Sequence, residues 1–256
     1  MSQPGIEKSV AVNPGARPRG ETSEAAAAES VRDLFDSIAP RYDLLNHLLS
    51  MGLDRRWWRR AAHAFRGILT RPGARILDLC CGTGDLTAAL LRLRPHGAEP
   101  ITGLDFSTAM LDRARRKFRG ANVVWTRGDA MHLPYADGSF DLVTSAFGFR
   151  NLANYADGLA EIHRVLAPGG QIGILEANQP DGLRGWGYGI YFQHLLPMLG
   201  GVISGQPAAY RYLPDSVMRF PRPQQMLGMM HDAGFEQCAW DGYLLRAAGL
   251  YRGVKG

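Results

Sequence analysis

The sequence predicts an α/β protein with a Rossmann-like architecture: a mostly parallel sheet with helices on both faces, closed by a C-terminal antiparallel hairpin. Three observations lead there. Beyond Pro72-Gly73, short apolar runs alternate with helix-like segments, the rhythm of successive βαβ units. The first run, ILDL (76–79), passes through a turn of small residues, CCGTG, directly into a helix-like stretch, which offers backbone N–H groups to an anionic or nucleotide-like ligand. Two strand-like runs, EQCAWDGYLL and AAGLYRGVKG, then follow each other with no room for a crossover helix.

The elements follow in order. Residues 1–30 are rich in Pro, Gly, Ala and Glu, lack an apolar core of signal-peptide length, and are expected to form a disordered leader. From there to about residue 70 apolar residues recur every three or four positions, predicting a helical lid. Pro40 separates its first helix from a second, Gly52 ends the second, and Asp54 is the expected cap of a third. Residues 71–180 form the expected ligand-binding core, with strands ARILDLC, ITGLD, NVVWTRGD, FDLVTSAF and QIGILEAN. Its helices are DLTAALLRLR, STAMLDRARRKF with Ser107 as cap, and ANYADGLAEIHRVL, which Pro168-Gly169-Gly170 ends. GLRGWGYGIYFQHLLPMLGGVISG (182–205) breaks the rhythm; apolar but punctuated by Gly and Pro, it predicts an inserted cap over 181–222. A last helix in PRPQQMLGMMHDAGF and the closing hairpin fill 223–256, so 31–256 reads as one domain.

A chain of 256 residues with 46% hydrophobic and 21% charged content can build a large core without staples. Three cysteines, an odd count with no CxxC and no His pair at ligand spacing, argue against a disulfide framework and a structural zinc site, and fit a reducing cytoplasm. No metal is expected. No run approaches eighteen uninterrupted apolar residues, so no transmembrane helix is expected. The net charge of +5 permits an anionic partner, whether nucleic acid, membrane surface or acidic ligand. With no recognisable RNA-binding module and no NPPY or paired-Cys catalytic motif, nucleic acid is not expected.

Three carboxylates sharpen the Gly-rich turn. Asp78 ends the strand before it, Asp105 ends the next strand, where it can accept hydrogen bonds from ribose hydroxyls, and Asp129 ends the third, within reach of an adenine amino group. A dinucleotide fingerprint would want a third glycine where Thr87 stands, and no proton-relay residues are evident, which disfavours a nicotinamide dehydrogenase.

Together these features resemble the class I S-adenosylmethionine-dependent methyltransferases, with Cys80 replacing the first glycine of their motif. Outside the loop, FDSIAPRYDLLNHLLSMGLDRRWWR, FGFRN, HRVLAPGGQIGILE and AYRYLPDSV are similar to one family, the demethylmenaquinone and 2-polyprenyl-6-methoxy-1,4-benzoquinol C-methyltransferases (UbiE/MenG). The resemblance implies methyl transfer from S-adenosylmethionine to a ring carbon of a prenylated quinol, most directly demethylmenaquinol. It implies Thr83, Asp105, Asp129 and Ala130 at the cofactor, supported by Gly82, Gly84 and Asp78. Arg150 is the implied cation that stabilises a quinolate, with Asn151 orienting ring hydroxyls and Tyr42 closing over the site. The substrate further implies peripheral contact with the inner face of the cell membrane, for which RRWWRR (55–60) and the 182–205 stretch are the candidates, and allows a homodimer. The alternatives are a methyltransferase for another small aromatic or lipid, or a non-catalytic membrane-associated scaffold.

Overall fold

A computed structural model describes residues 15–18, 20–42, 52–178 and 207–256. Seven strands form one sheet: β1 (Ile76–Leu79), β2 (Ile101–Asp105), β3 (Val123–Arg127), β4 (Phe140–Ala146), β5 (Leu166–Ala177), β6 (Phe235–Tyr243) and β7 (Ala248–Lys255). Their order is β3-β2-β1-β4-β5-β7-β6; the first five run parallel, and β7 lies antiparallel between β5 and β6. The order reverses beside β1, and ligands bind at such a switch point, outside the carboxyl ends of the strands.

The helices are α1 (Glu24–Ile38), α2 (Asp54–Ala64), α3 (Arg66–Leu69), α4 (Asp85–Leu91), α5 (Thr108–Lys117), α6 (Tyr155–Val165), α7 (Pro207–Arg219) and α8 (Pro223–Asp232). β1 is buried at every position, which explains its unbroken apolar reading apart from Asp78. Its alternate residues feed two cores. Leu77 and Leu79 pack with Leu159 and Ile162 of α6 and Met226 and Met230 of α8, whereas Ile76 packs with Trp58 of α2 and Leu86 and Leu90 of α4.

Three expectations change. The first helix starts at Glu24, inside the stretch assigned to a leader, because Ser23 caps it by accepting from the Ala26 amide and because Ala27 and Val31 are buried. Asp54 is not a cap but the first residue of α2; it is buried, and its Oδ1 accepts from the Arg55 amide. The expected cap region contains α7, a helix that carries Pro214 internally and buries Tyr212, Ser216 and Val217. Residues 43–51, most of the expected second lid helix, and the 182–205 stretch lie outside the described residues. Ser107 does cap α5, accepting from the Met110 amide at 3.1 Å.

Candidate active site

The turn after β1 is built from alternating left-handed residues: Cys80 at φ 53°, Gly82 at 54° and Gly84 at 87°. Glycine adopts this region freely, and a residue with a Cβ pays roughly 1–2 kcal/mol to do so. Cys80 thus holds a conformation that favours glycine. Its Cβ faces Gly148, where an added Cβ would come within 2.4 Å of it. Gly84 solves a different problem: a Cβ there would lie 2.7 Å from the Trp125 ring and 2.8 Å from Phe118.

The turn opens onto a cavity of about 600 Å³ at the carboxyl ends of β1 to β4. Cys80 and Gly82 line it from the turn, Asp105, Asp129 and Ala130 from the ends of β2 and β3, and Phe147, Gly148 and Asn151 from beyond β4. α1 contributes Ala25, Ala28 and Phe35, and Tyr42 joins them, its ring edge-on to Phe35 at 6.1 Å. α1 is fastened to the ligand loops at both ends. Asn154 donates to Glu24 at 3.1 Å, and the Ser107 hydroxyl donates to Asp36.

Asp105 is buried, and its two oxygens accept from the Gly82 amide at 2.8 Å and the Ser107 amide at 2.9 Å. Burial nevertheless pushes its carboxyl up to about 6, against the opposing effect of those amides. Its position suits the vicinal hydroxyls of a ribose. Asp129 accepts from the Met131 amide at 2.9 Å and meets His132 Nδ1 at 3.2 Å, while most of its side chain remains open. The carboxylates, the close glycine backbone and the cavity volume therefore fit an adenosine-bearing donor.

A smaller space adjoins the first, sharing Tyr42, Cys80, Gly82 and Phe147 with it, and Asp78 and Thr83 line this space instead. Asp78 is fully buried; Thr87 and Thr144 donate to its two oxygens, Thr144 at 3.2 Å. Burial pushes its carboxyl up to about 7. Thr87, the residue in place of a third fingerprint glycine, is therefore the partner of this carboxylate. Gly84 lines neither space. Among the described residues no group of three His, Cys, Asp or Glu side chains is arranged to hold a metal ion.

Arg150 sits in the turn after β4, behind the cavity wall. Its side chain is almost fully buried and absent from the cavity lining. Nη1 donates to Glu176 Oε2 at 2.8 Å and to the Phe147 carbonyl at 2.7 Å, and Nε donates to Ser216 Oγ at 3.2 Å. Burial works against the cation, but the Glu176 carboxylate outweighs it and raises the guanidinium's affinity for its proton. Asn151 does face the cavity, and its Oδ1 accepts from the Tyr212 hydroxyl at 2.9 Å.

Sequence reasoning did not single out Glu176 or Tyr212. A carboxylate at the end of the apolar run QIGILE was the available signal for the first; Tyr212 lay in the stretch read as cap.

The profile of the ubiE/COQ5 methyltransferase family matches residues 23–255. The chain is 53% identical over 205 residues to a demethylmenaquinone methyltransferase of Thermus thermophilus, covering 79% of this chain and 91% of that protein. A demethylmenaquinone methyltransferase of Deinococcus radiodurans is 49% identical over 210 residues, covering 81% and 85%. A ubiquinone/menaquinone biosynthesis C-methyltransferase of Geobacter sulfurreducens is 41% identical over 233 residues, covering 89% of each. Among solved structures, an S-adenosylmethionine-dependent methyltransferase of Thermotoga maritima superposes with a TM-score of 0.63 at 19% identity, covering 88% of this chain and all of that one. The cyclase SpnF superposes with 0.64 at 19% identity, covering 95% and 98%, so likeness of fold alone does not fix a reaction.

Proposed function

The chain belongs to the ubiE/COQ5 methyltransferase family, and from that premise we propose that it moves a methyl group from S-adenosylmethionine to a ring carbon of a prenylated quinol, demethylmenaquinol in the first place. It acts as an S-adenosylmethionine-dependent C-methyltransferase of menaquinone biosynthesis, and the methoxybenzoquinol of ubiquinone biosynthesis is the second acceptor to be tried. The observation that carries the reading is the cavity of about 600 Å³ with Asp105, Asp129, Tyr42, Phe147 and Asn151 among its lining.

S-adenosylmethionine, when bound, supplies a methyl already electrophilic on its sulfonium. We assign Asp105 to the ribose hydroxyls, Asp129 and the Ala130 backbone to the adenine, and Gly82 and Thr83 to the turn that closes on the donor. Gly84 shapes the start of α4 with its φ of 87°, and its lack of a Cβ lets Trp125 and Phe118 pack closely. Asp78 sits beside the smaller space, where an ammonium group would find a carboxylate. On the acceptor side the chain has to raise electron density on the ring carbon, orient it in line, and exclude water. Asn151 is the polar side chain available to an acceptor hydroxyl, and Tyr42 closes over it. Arg150 has its charge met by Glu176, so we assign it to holding the turn rather than to contacting a quinolate.

Such an acceptor lives in the bilayer, and among the described residues no helix is long and apolar enough to cross one. We propose peripheral contact with the inner face of the cell membrane through α2. Trp58 is buried, whereas Arg55, Arg56, Arg59 and Arg60 are exposed. The Arg60 guanidinium lies 4.4 Å over the Tyr243 ring, next to the exposed Leu244. A cationic face with apolar tips suits an anionic headgroup surface.

The test is direct. Purified protein is given S-adenosylmethionine with short-chain reduced demethylmenaquinone or the reduced methoxybenzoquinone, and methyl addition is followed by mass spectrometry. Product from the first supports the reading and product from both makes the enzyme bifunctional. No product from either, with donor binding intact, overturns the acceptor assignment and returns another small aromatic or lipid acceptor, or the scaffold.

A further inference from the structure

We propose that Glu176 is the positioning residue of the acceptor side: through Arg150 its buried carboxylate fixes the 147–151 turn, and with it the placement of Phe147, Gly148 and Asn151 on the cavity wall. The kinetic part rests on the methyl-transfer reading above.

Glu176 has no exposed surface and follows Ile172, Ile174 and Leu175, which are equally buried. A carboxylate in such a place is costly unless every lone pair finds a donor. Here the donors come mainly from one residue. The Arg150 amide donates to Oε1 at 3.1 Å and Arg150 Nη1 to Oε2 at 2.8 Å, with the Ala177 amide on Oε2 at 3.1 Å. Arg150 is held at its other end too, since the Tyr155 hydroxyl donates to its carbonyl at 2.9 Å. The same guanidinium grips the Phe147 carbonyl. Backbone and side chain of one residue are thus clamped from behind, while its neighbours at 147, 148 and 151 face the cavity.

The turn is also blocked from shifting toward the donor loop. Gly148 already sits so close to Cys80 that it has no room for a Cβ. On its cavity side the Asn151 oxygen accepts from the Tyr212 hydroxyl, and among the described residues its amide nitrogen makes only a long contact, 3.4 Å, to the Phe147 carbonyl. That nitrogen is the donor left to meet an acceptor oxygen. A hydrophobic pair in place of Arg150 and Glu176 would fill the same volume without specifying where Asn151 points.

The experiment compares the parent with Glu176→Gln, which keeps the size and one acceptor oxygen but removes the charge. Hydrogen exchange of the amides in 147–152 is expected to quicken by about tenfold or more, with β1 and β2 unchanged. Donor Kd stays within about twofold while kcat for the quinol falls roughly 10- to 100-fold, since misplacement by an ångström has that scale of effect. The double variant Arg150→Leu with Glu176→Leu, which leaves no unpaired charge, is expected to fold and show the same split, and it decides the matter if Glu176→Gln does not fold. Parent-like kcat with parent-like exchange at 147–152 overturns the proposal. So does a parallel loss of donor binding and turnover with exchange raised throughout, the mark of general destabilisation. A parent that methylates no quinol counts against the acceptor assignment instead, and exchange at 147–152 still decides the positioning.

Discussion

Asp105 and Cys80 show how a single side chain sets the chemistry of the site. Burial holds the Asp105 carboxyl near 6, so on the ribose assignment proposed for it the accepting form is filled only as pH rises through that value. Donor affinity, measured by calorimetry from pH 5 to 8, should therefore strengthen with a midpoint near 6, and Asp105→Asn should bind more weakly and without that pH dependence. Cys80 and Gly148 form a matched pair. Gly148→Ala forces its Cβ against that of Cys80 and should cost about 2 kcal/mol in denaturant unfolding. Cys80→Gly alone should be nearly neutral, because relief of its left-handed strain offsets lost packing and added freedom in the unfolded chain. Combined, the two should recover at least about 1 kcal/mol of the loss, a coupling that independent sites do not show. The place of Asp105 at the cavity was legible in the sequence because it follows from local position, one residue at the end of one strand. Arg150 was legible as special but not in how it works, since its partner Glu176 stands on another strand, reached only through the fold.

At the level of elements, the continuous apolar run of β1 disclosed it, because burial on both faces leaves no alternation to misread, whereas β3, with no fully buried residue, was legible from its place in the strand–helix rhythm. The start of α1 was hidden: an Ala- and Glu-rich stretch suits a solvated leader and a helix equally until Ala27 and Val31 find something to pack on. α7 was hidden by Pro214 and by its place in a stretch read as cap. α1 roofs the cavity and is fastened by Asp36 to Ser107 and by Glu24 to Asn154. Asp36→Ala should therefore quicken donor release roughly five- to tenfold in stopped-flow measurements, by about the net value of one ordinary hydrogen bond. The melting temperature should change little. Unchanged release would mean that the roof is held by its apolar contacts alone.

For the whole molecule, buried carboxylates shape the dependence of stability on pH. Asp78 has its carboxyl raised from 3.8 to about 7, so between those values the folded state holds a proton that the unfolded chain has lost. Its contribution is complete below about pH 4 and is lost as pH rises through 7; Asp105 acts in the same direction. The apo protein should then melt lower at pH 8 than at pH 5, and Asp78→Asn should flatten that difference. The basic charge, visible at once in composition, did not identify a partner, but α2 gathers four arginines on one exposed side. Sedimentation with vesicles rich in anionic lipid should weaken at high salt, and replacing those four arginines by Gln should abolish it. The sheet order carries a consequence for biosynthesis. β7 pairs with β5 along its length, yet it is made about seventy residues later. At the usual pace of translation β5 waits roughly 4–14 s with one edge bare, apolar side chains ready and no partner in existence. A newborn chain of this protein is thus most prone to wrong pairing in that interval, and a chaperone that shields an open strand on the ribosome would act there.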